Sequence, residues 1–468
     1  MADFTMTIDG QATPTASTFD VLNPATNEVY AQAPECSKEQ LDAAMESAAK
    51  AYRDWRADEG ARREALRAAA GVIMNASQEL APVLTSEQGK PLSDATIEMF
   101  AAGMWLQYYA DLELPREVIQ DDDAAFVEVL RKPLGVVAAI TPWNFPIVLA
   151  SWKIAPALVA GNTMVLKPSP FTPLSTLKIG ELLRDVLPPG VFNVVTGGDE
   201  LGAWMTSHPV PRKISFTGSV ATGKKVAAAA APDLKRTTLE LGGNDPAILL
   251  DDIDPTEVAD HVYRQAFANN GQVCSAIKRV YVPERMYDDV VDALAMHAKA
   301  AKVGNGMDPD TQLGPINNRP QFNRVSELVA DAIKGGARAV TGGKAMDSPG
   351  NFFEPTILAD ISDGTRIVDE EQFGPALPVI PYRDVDDAVE RANATHFGLS
   401  GSVWSSDPDR AAAVAERLEC GTAWVNTHLA LAPHQPFGGA KWSGLGVENG
   451  TWGLYGFTEL QVLHRSKH

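Results

Sequence analysis

A thiol, a side-chain amide and a carboxylate stand in three segments of this 468-residue chain, and each suits one step of nucleophilic catalysis. Cys274 lies in Asn270-Gly271-Gln272-Val273-Cys274-Ser275, a polar turn between an expected helix and an expected strand. Only Cys36 and Cys420 accompany it, so neither a disulfide framework nor a zinc site is available and no metal is expected. Cys274 therefore reads as a nucleophile rather than a ligand, with a small buried hydrophobe as the open alternative that its polar neighbours disfavour, whereas Cys36 and Cys420 read as small buried hydrophobes. Asn144 is fixed between prolines and aromatics in Thr141-Pro142-Trp143-Asn144-Phe145-Pro146. There its amide either donates toward a developing oxyanion or caps the next helix. Glu240, in Leu239-Glu240-Leu241-Gly242-Gly243, ends an apolar stretch. It is a general base if desolvation lifts its pKa, and otherwise a salt-bridge partner.

A second group of segments suits phosphate and sugar. Phe216-Thr217-Gly218-Ser219-Val220-Ala221-Thr222-Gly223-Lys224-Lys225 runs from strand through glycine turn to helix start. Backbone amides at such a turn hold phosphate with the help of the helix dipole. The segment nearly matches Gly-x-x-x-x-Gly-Lys-Ser/Thr, but Lys225 occupies the hydroxyl position that would bind magnesium, and it is not Gly-x-Gly-x-x-Gly. A plain strand-to-helix turn stays open. Glu370-Glu371-Gln372-Phe373-Gly374-Pro375 offers a carboxylate for a ribose hydroxyl and an aromatic for a ring face, or an acidic surface loop. Lys167, in Lys167-Pro168-Ser169-Pro170, ends a strand where it meets a nucleotide ribose or solvent.

These segments need a scaffold of more than one core, since 468 residues exceed what a single core organises. Ser37 and Gln40 fit a capping box, followed by Leu41, Met45, Ala48, Tyr52 and Trp55 at helical spacing. Further helices are expected from about Arg62 to Gln88, closing at Gly89-Lys90-Pro91, and through Phe100 to Tyr109. Val118 to Lys132 reads as a projecting hairpin. From Gly135, short β-type runs (Val136–Ile140, Met164–Leu166, Phe192–Val195, Lys213–Phe216) alternate with helical segments, which implies a parallel sheet. A second α/β series starts after Gly242-Gly243, with strands expected at Ala247–Leu250, Arg279–Val282, Ala376–Pro381 and Gly421–Asn426. A net charge of −20 argues against nucleic acid and anionic membranes as partners. Apolar runs are strand-sized, and no apolar segment follows a basic start, so the cytoplasm is the expected compartment.

Taken in order, the motifs resemble the aldehyde dehydrogenase superfamily, from Gln88-Gly89-Lys90-Pro91 to Pro436-Phe437-Gly438-Gly439 and Ser443-Gly444-Leu445-Gly446. The resemblance implies an α/β fold. A Rossmann-like NAD(P)-binding domain would comprise 1–116 and 134–241, with a second α/β catalytic domain at 242–435. An oligomerisation arm at 117–133 and 436–468 would make a homodimer or homotetramer. It also implies that Cys274 attacks an aldehyde carbonyl, that the Asn144 amide and the Cys274 N–H hold the oxyanion, and that Glu240 activates the water that hydrolyses the thioester. Presence of Glu240 disfavours acyl transfer to CoA. Cofactor contacts would come from Trp143, Lys167, Ser169, Gly218, Ser219, Gly223, Glu371 and Phe373. Where familiar NAD-selective members carry a glutamate this chain has Pro170, so both NAD and NADP are open.

The substrate positions implied are Phe145, Trp152, Ala268, Ser275, Leu431, His434 and Phe437. His434 is either a polar handle or packs beside Pro433 and Pro436. Members that oxidise succinic semialdehyde hold its carboxylate with arginines at positions matching Ala268 and Trp152, which cannot pair with it. Neutral aliphatic or aromatic aldehydes are therefore expected; an acidic semialdehyde would need an arginine elsewhere, such as Arg279. Two rivals remain. A non-redox phosphate-binding enzyme built on the Gly218 turn has Lys225 against it. A binding protein that lost the chemistry would show a damaged thiol, donor or base, and none is damaged.

Overall fold

The computed structural model describes residues 4–468, built on two large sheets and two small ones. Helix Lys38–Trp55 begins with the expected capping box, in which Ser37 and Gln40 accept each other's backbone N–H, and buries Leu41, Met45, Ala48 and Trp55. The long helix expected to Gln88 is two, Glu59–Asn75 and Ser77–Gln88, divided at Ala76, whose ψ of −3° turns the chain. Gly89 then closes the second in a left-handed cap at φ 103°.

The first sheet has eight strands, ordered Gly444–Leu445, Arg236–Glu240, Lys213–Thr217, Val136–Ile140, Thr163–Lys167, Phe192–Val194, Met6–Ile8 and Gln11–Thr13. Its five strands from Arg236–Glu240 to Phe192–Val194 run parallel, and the outer ones are antiparallel. Helices cover both faces of such a sheet, which is why the central strands read as continuous apolar runs. The second sheet has seven strands, ordered Arg338–Thr341, Thr356–Ala359, Ala376–Tyr382, Ile277–Pro283, Asp245–Leu249, Ser400–Trp404 and Thr422–Val425. Strand Ser400–Trp404 lies inside this sheet although Ser400-Gly401-Ser402 carries no β-type pattern.

The hairpin Glu117–Asp121 and Ala125–Pro133 gains a third strand, Thr458–Ser466, paired antiparallel along all of Ala125–Pro133. The C-terminal stretch is divided, which corrects the expectation that 436–468 forms the arm as a unit. Gly444–Leu445 pairs antiparallel at the edge of the eight-stranded sheet with Leu445 exposed, whereas Phe437 and Leu454 are buried in the core packed against that sheet.

Candidate active site

Strand Val136–Ile140 runs into the loop that holds Asn144, and Pro146 opens helix Pro146–Val159. Phe145 occupies the cap position, so Asn144 is not a helix cap. Its Nδ2 donates to the Gln272 carbonyl at 3.0 Å. One amide N–H is thereby committed to the loop before Cys274, and the second remains for a ligand. The main-chain oxygen of Asn144 accepts from Lys90 Nζ at 2.9 Å and from Asn269 Nδ2 at 3.1 Å. Lys90 pairs with Glu98 at 2.5 Å, and Glu98 accepts the otherwise free N–H groups of Ile147 and Val148 at the helix start. A buried ion pair thus fixes both the loop and the helix that follows it.

Cys274 arrives from the second sheet. After helix Pro255–Phe267, the residues Asn269, Asn270 and Gly271 adopt φ of 47°, 58° and 74°, three left-handed residues in succession. Asparagine and glycine are the residues that tolerate this. Gly271 also abuts the Gly374 carbonyl too closely for any Cβ. Gln272 fastens the turn, donating to the Asn269 carbonyl at 2.9 Å and accepting the Asn317 N–H at 2.9 Å. Cys274 itself is half-buried. Its thiol is pushed up to about 12, chiefly by burial, with Lys278 opposing and Glu371, Asp245 and Glu240 adding to the rise. The resting group is a thiol, so a proton must leave before it attacks.

Glu240 ends strand Arg236–Glu240 with neither carboxyl oxygen hydrogen-bonded. Burial, and then Glu448, hold its pKa well above the usual carboxylate range, with Lys153 opposing. The salt-bridge alternative falls away, because Lys153 pairs with Glu448 instead, at 2.5 Å, and also donates to Thr217 Oγ1 at 2.7 Å. A buried carboxyl with a raised pKa and no hydrogen bond of its own is suited to exchange a proton with a ligand.

A cavity of about 180 Å³ is lined by Trp143, Asn144, Gly218, Ser219, Cys274, Glu371 and Phe373, all singled out in the sequence. Trp143 and Phe373 meet edge-on with centroids 5.3 Å apart. Glu371 Oε1 accepts the Gly243 N–H at 3.0 Å. Ser219 caps helix Val220–Ala230 by accepting the Thr222 N–H at 3.2 Å. Gln321 and Arg324 also line the cavity, and the sequence reasoning missed them: they lie on helix Arg319–Lys334, whose only local signal is an ordinary amphipathic pattern. Lys167, Ser169 and Gly223 do not line it. Lys167 is buried at its strand end, its Nζ 3.3 Å from the Pro168 carbonyl and its pKa brought down to about 8 by burial. Gly223 is enclosed beneath the Leu241 side chain, so its smallness serves helix-to-strand packing rather than ligand contact.

With this geometry in place, one comparison decides the family: the model for the "Aldehyde dehydrogenase family" matches residues 12–463. The chain belongs to the aldehyde dehydrogenase family. It is 38% identical over 455 residues to human retinaldehyde dehydrogenase 3, covering 95% of this chain and 89% of that one. It is 38% identical over 450 residues to the NADP(+) succinate-semialdehyde dehydrogenase GabD of Escherichia coli, covering 95% and 93%. The solved NAD+ complex of an aldehyde dehydrogenase from Bacillus cereus superposes with a TM-score of 0.97 at 35% identity, over 99% of this chain and 97% of that one. An aldehyde dehydrogenase is an oxidoreductase acting on the aldehyde group, so the phosphate-binding alternative is set aside.

In this aldehyde dehydrogenase the aromatic residues expected around the substrate lie in or against the core of the first sheet and do not line the cavity that holds Cys274. Trp152 stacks on Trp105 at 5.7 Å and meets Phe437 edge-on at 5.5 Å. Phe145, Leu431 and Cys274 pack against the same core. Ser275 is buried with its hydroxyl unpartnered, Ala268 is half-buried, and His434 is exposed. Arg279 is buried away from the cavity, each of its three nitrogens donating elsewhere, to the Asn244 carbonyl, the Tyr281 hydroxyl and the Ala392 carbonyl at 2.9, 3.1 and 3.0 Å.

Proposed function

We propose that the enzyme oxidises neutral aliphatic or aromatic aldehydes to carboxylic acids, using NAD or NADP and a covalent bond to Cys274. The observation that carries this reading is the convergence of Cys274 and Asn144 on one cavity with the unbonded Glu240 carboxyl close by. The donor set suits a nicotinamide dinucleotide: Glu371 for a ribose diol, the capped start of helix Val220–Ala230 for a pyrophosphate, Trp143 and Phe373 for a ring. Lys167 and Ser169 would meet the adenosine ribose, and Pro170 leaves no carboxylate there to repel a 2′-phosphate. When bound, the nicotinamide accepts a hydride from the substrate carbon.

The chain's own groups do the rest. The Cys274 thiolate bonds to the carbonyl carbon, and the oxygen becomes an oxyanion taken up by the free Asn144 N–H and the Cys274 N–H. Loss of hydride leaves the acyl group on sulfur as a thioester. Glu240 in its base form takes a proton from the water that attacks the thioester; the carbon–sulfur bond breaks, and the carboxylic acid and the Cys274 thiolate are released. The aromatic residues of that core and the commitment of Arg279 favour uncharged substrates. An acidic semialdehyde is the second reading, favoured by the similarity to GabD.

In this scheme residues 1–116 and 134–241 bind cofactor and 242–435 carry the nucleophile. Val118, Ile119, Leu460, Val462 and Leu463 are exposed apolar side chains on the three-stranded sheet, and a second copy covering them gives a homodimer or homotetramer. Among the described residues no helix is long and apolar enough to cross a membrane; the cytoplasm is the compartment assigned.

The test compares wild type with Cys274→Ala by the absorbance of reduced cofactor, across an aldehyde panel with NAD and with NADP. Wild type turns over; the variant still binds cofactor but does not. Substantial turnover by Cys274→Ala refutes the assignment.

A further inference from the structure

Strand Ile277–Pro283 carries Lys278 into an enclosed position beneath the nucleophile loop, with 1% of its surface exposed. Its Nζ donates to two main-chain oxygens, that of Val273 at 2.8 Å and that of Cys274 at 2.5 Å. Glu371 Oε1 stands 3.6 Å away. The Val273 carbonyl and the Cys274 N–H belong to one planar peptide unit. An ammonium bonded to that oxygen draws electron density from the amide, so its N–H becomes a stronger donor, and the bond also fixes where the N–H points. The next carbonyl is equally constrained, because a Cβ on Gly243 would lie only 2.6 Å from the Cys274 oxygen.

We propose that Lys278 is a positioning residue for Cys274, aiming and polarising its N–H and supplying the positive charge that favours its thiolate. This rests on Cys274 being the nucleophile. The carboxyls of Glu371, Asp245 and Glu240 act on Cys274 in the opposite sense, and Lys278 is the cation set against them. Around Lys278 itself stand Glu371, Asp245 and His428. Burial raises Asp245 to about 7 and lowers His428 to about 3, so near neutrality the acid is about half ionised and the imidazole is uncharged. His428 Nε2 lies 2.7 Å from the Ser275 carbonyl and 3.9 Å from Asp245. His428 stays uncharged, whereas Asp245 gains charge as pH rises and faces the ammonium together with Glu371. Glu371 also lines the cavity, so Lys278 joins the cofactor's side of the site to the nucleophile's.

The experiment follows alkylation of Cys274 by iodoacetamide against pH in the full-length enzyme, locating the modified peptide by mass spectrometry. Lys278→Met should move the profile upward by about one pH unit, making alkylation near pH 8 about tenfold slower, and should lower kcat more than it raises KM. Lys278→Gln keeps a donor to the carbonyls without the charge; it should move the profile equally while losing less kcat. An unchanged profile in either folded variant overturns the proposal. Loss of the fold in both, read by thermal melting, overturns it too, since Lys278 would then be a structural anchor. The alkylation profile does not depend on turnover, so its failure is distinct from failure of the Cys274→Ala test.

Discussion

Removing the Asn144 carboxamide should slow the chemical step while sparing the fold. The bonds that hold this loop run from Lys90 and Asn269 to the main-chain oxygen of Asn144, and Asn144→Ala keeps that oxygen. What disappears is the Nδ2 donation to the Gln272 carbonyl and the N–H left over for the substrate. The Gln272 carbonyl retains the longer contact from Asn269 Nδ2 at 3.4 Å, so the loss in stability should be about 1 kcal/mol. Loss of one oxyanion donor costs about 2.7–4 kcal/mol of transition-state stabilisation, which is about 100- to 1,000-fold in kcat. KM should change by no more than about threefold, because the ground-state carbonyl draws little on this donor. Initial rates over a range of aldehyde concentrations, with melting curves on the same preparations, give all three quantities. A variant whose KM rises while kcat holds would refute the reasoning and make Asn144 a packing residue.

Other expectations follow from the same geometry. Glu240→Gln should leave a single burst of reduced cofactor but cut steady turnover by about a hundredfold or more; full steady-state activity would mean another group activates the water. Because burial raises the Glu240 pKa and hydrolysis needs its base form, wild-type turnover should climb with pH through that raised pKa. That limb should be missing in Glu240→Gln. By the same linkage, any stability Glu240 contributes is fully present below the ordinary carboxylate pKa and declines as pH rises toward the folded value. Wild type should use NADP as well as NAD, and Pro170→Glu should shift preference toward NAD; absence of any NADP activity in wild type would mean that shape excludes it. Hexanal or benzaldehyde should exceed succinic semialdehyde in kcat/KM by about tenfold or more, and the reverse order would sink the neutral-substrate assignment.

The residues readable from sequence are those whose neighbours had to be unusual. Cys274 and Asn144 sit in loops that only glycine, asparagine or proline can build, and the three left-handed residues before Cys274 are a direct instance. The supporting charges were not readable. Lys153 and Glu448 are 295 positions apart, and Lys90 meets the Asn144 carbonyl across 54. A lysine in an apolar stretch says nothing about which distant oxygen it will bond. Similarly, Ser400–Trp404 becomes an inner strand through burial between two neighbours, a tertiary cause that its own side chains do not announce.

The path of the last strands bears on how the enzyme comes into being. Thr422–Val425 completes the seven-stranded sheet, Gly444–Leu445 then joins the strand bearing Glu240, and Thr458–Ser466 closes onto the hairpin. For the last two, the partner strand leaves the ribosome long before the strand that seals it. Until Phe437 and Glu448 emerge, Trp152 lacks its edge-on neighbour and Lys153 its counter-charge. The nascent chain therefore carries a finished nucleophile loop beside an open apolar core, a state that invites aggregation and holdase chaperones. Activity arrives late and all at once, and a chain broken off upstream of Phe437 would have none rather than some.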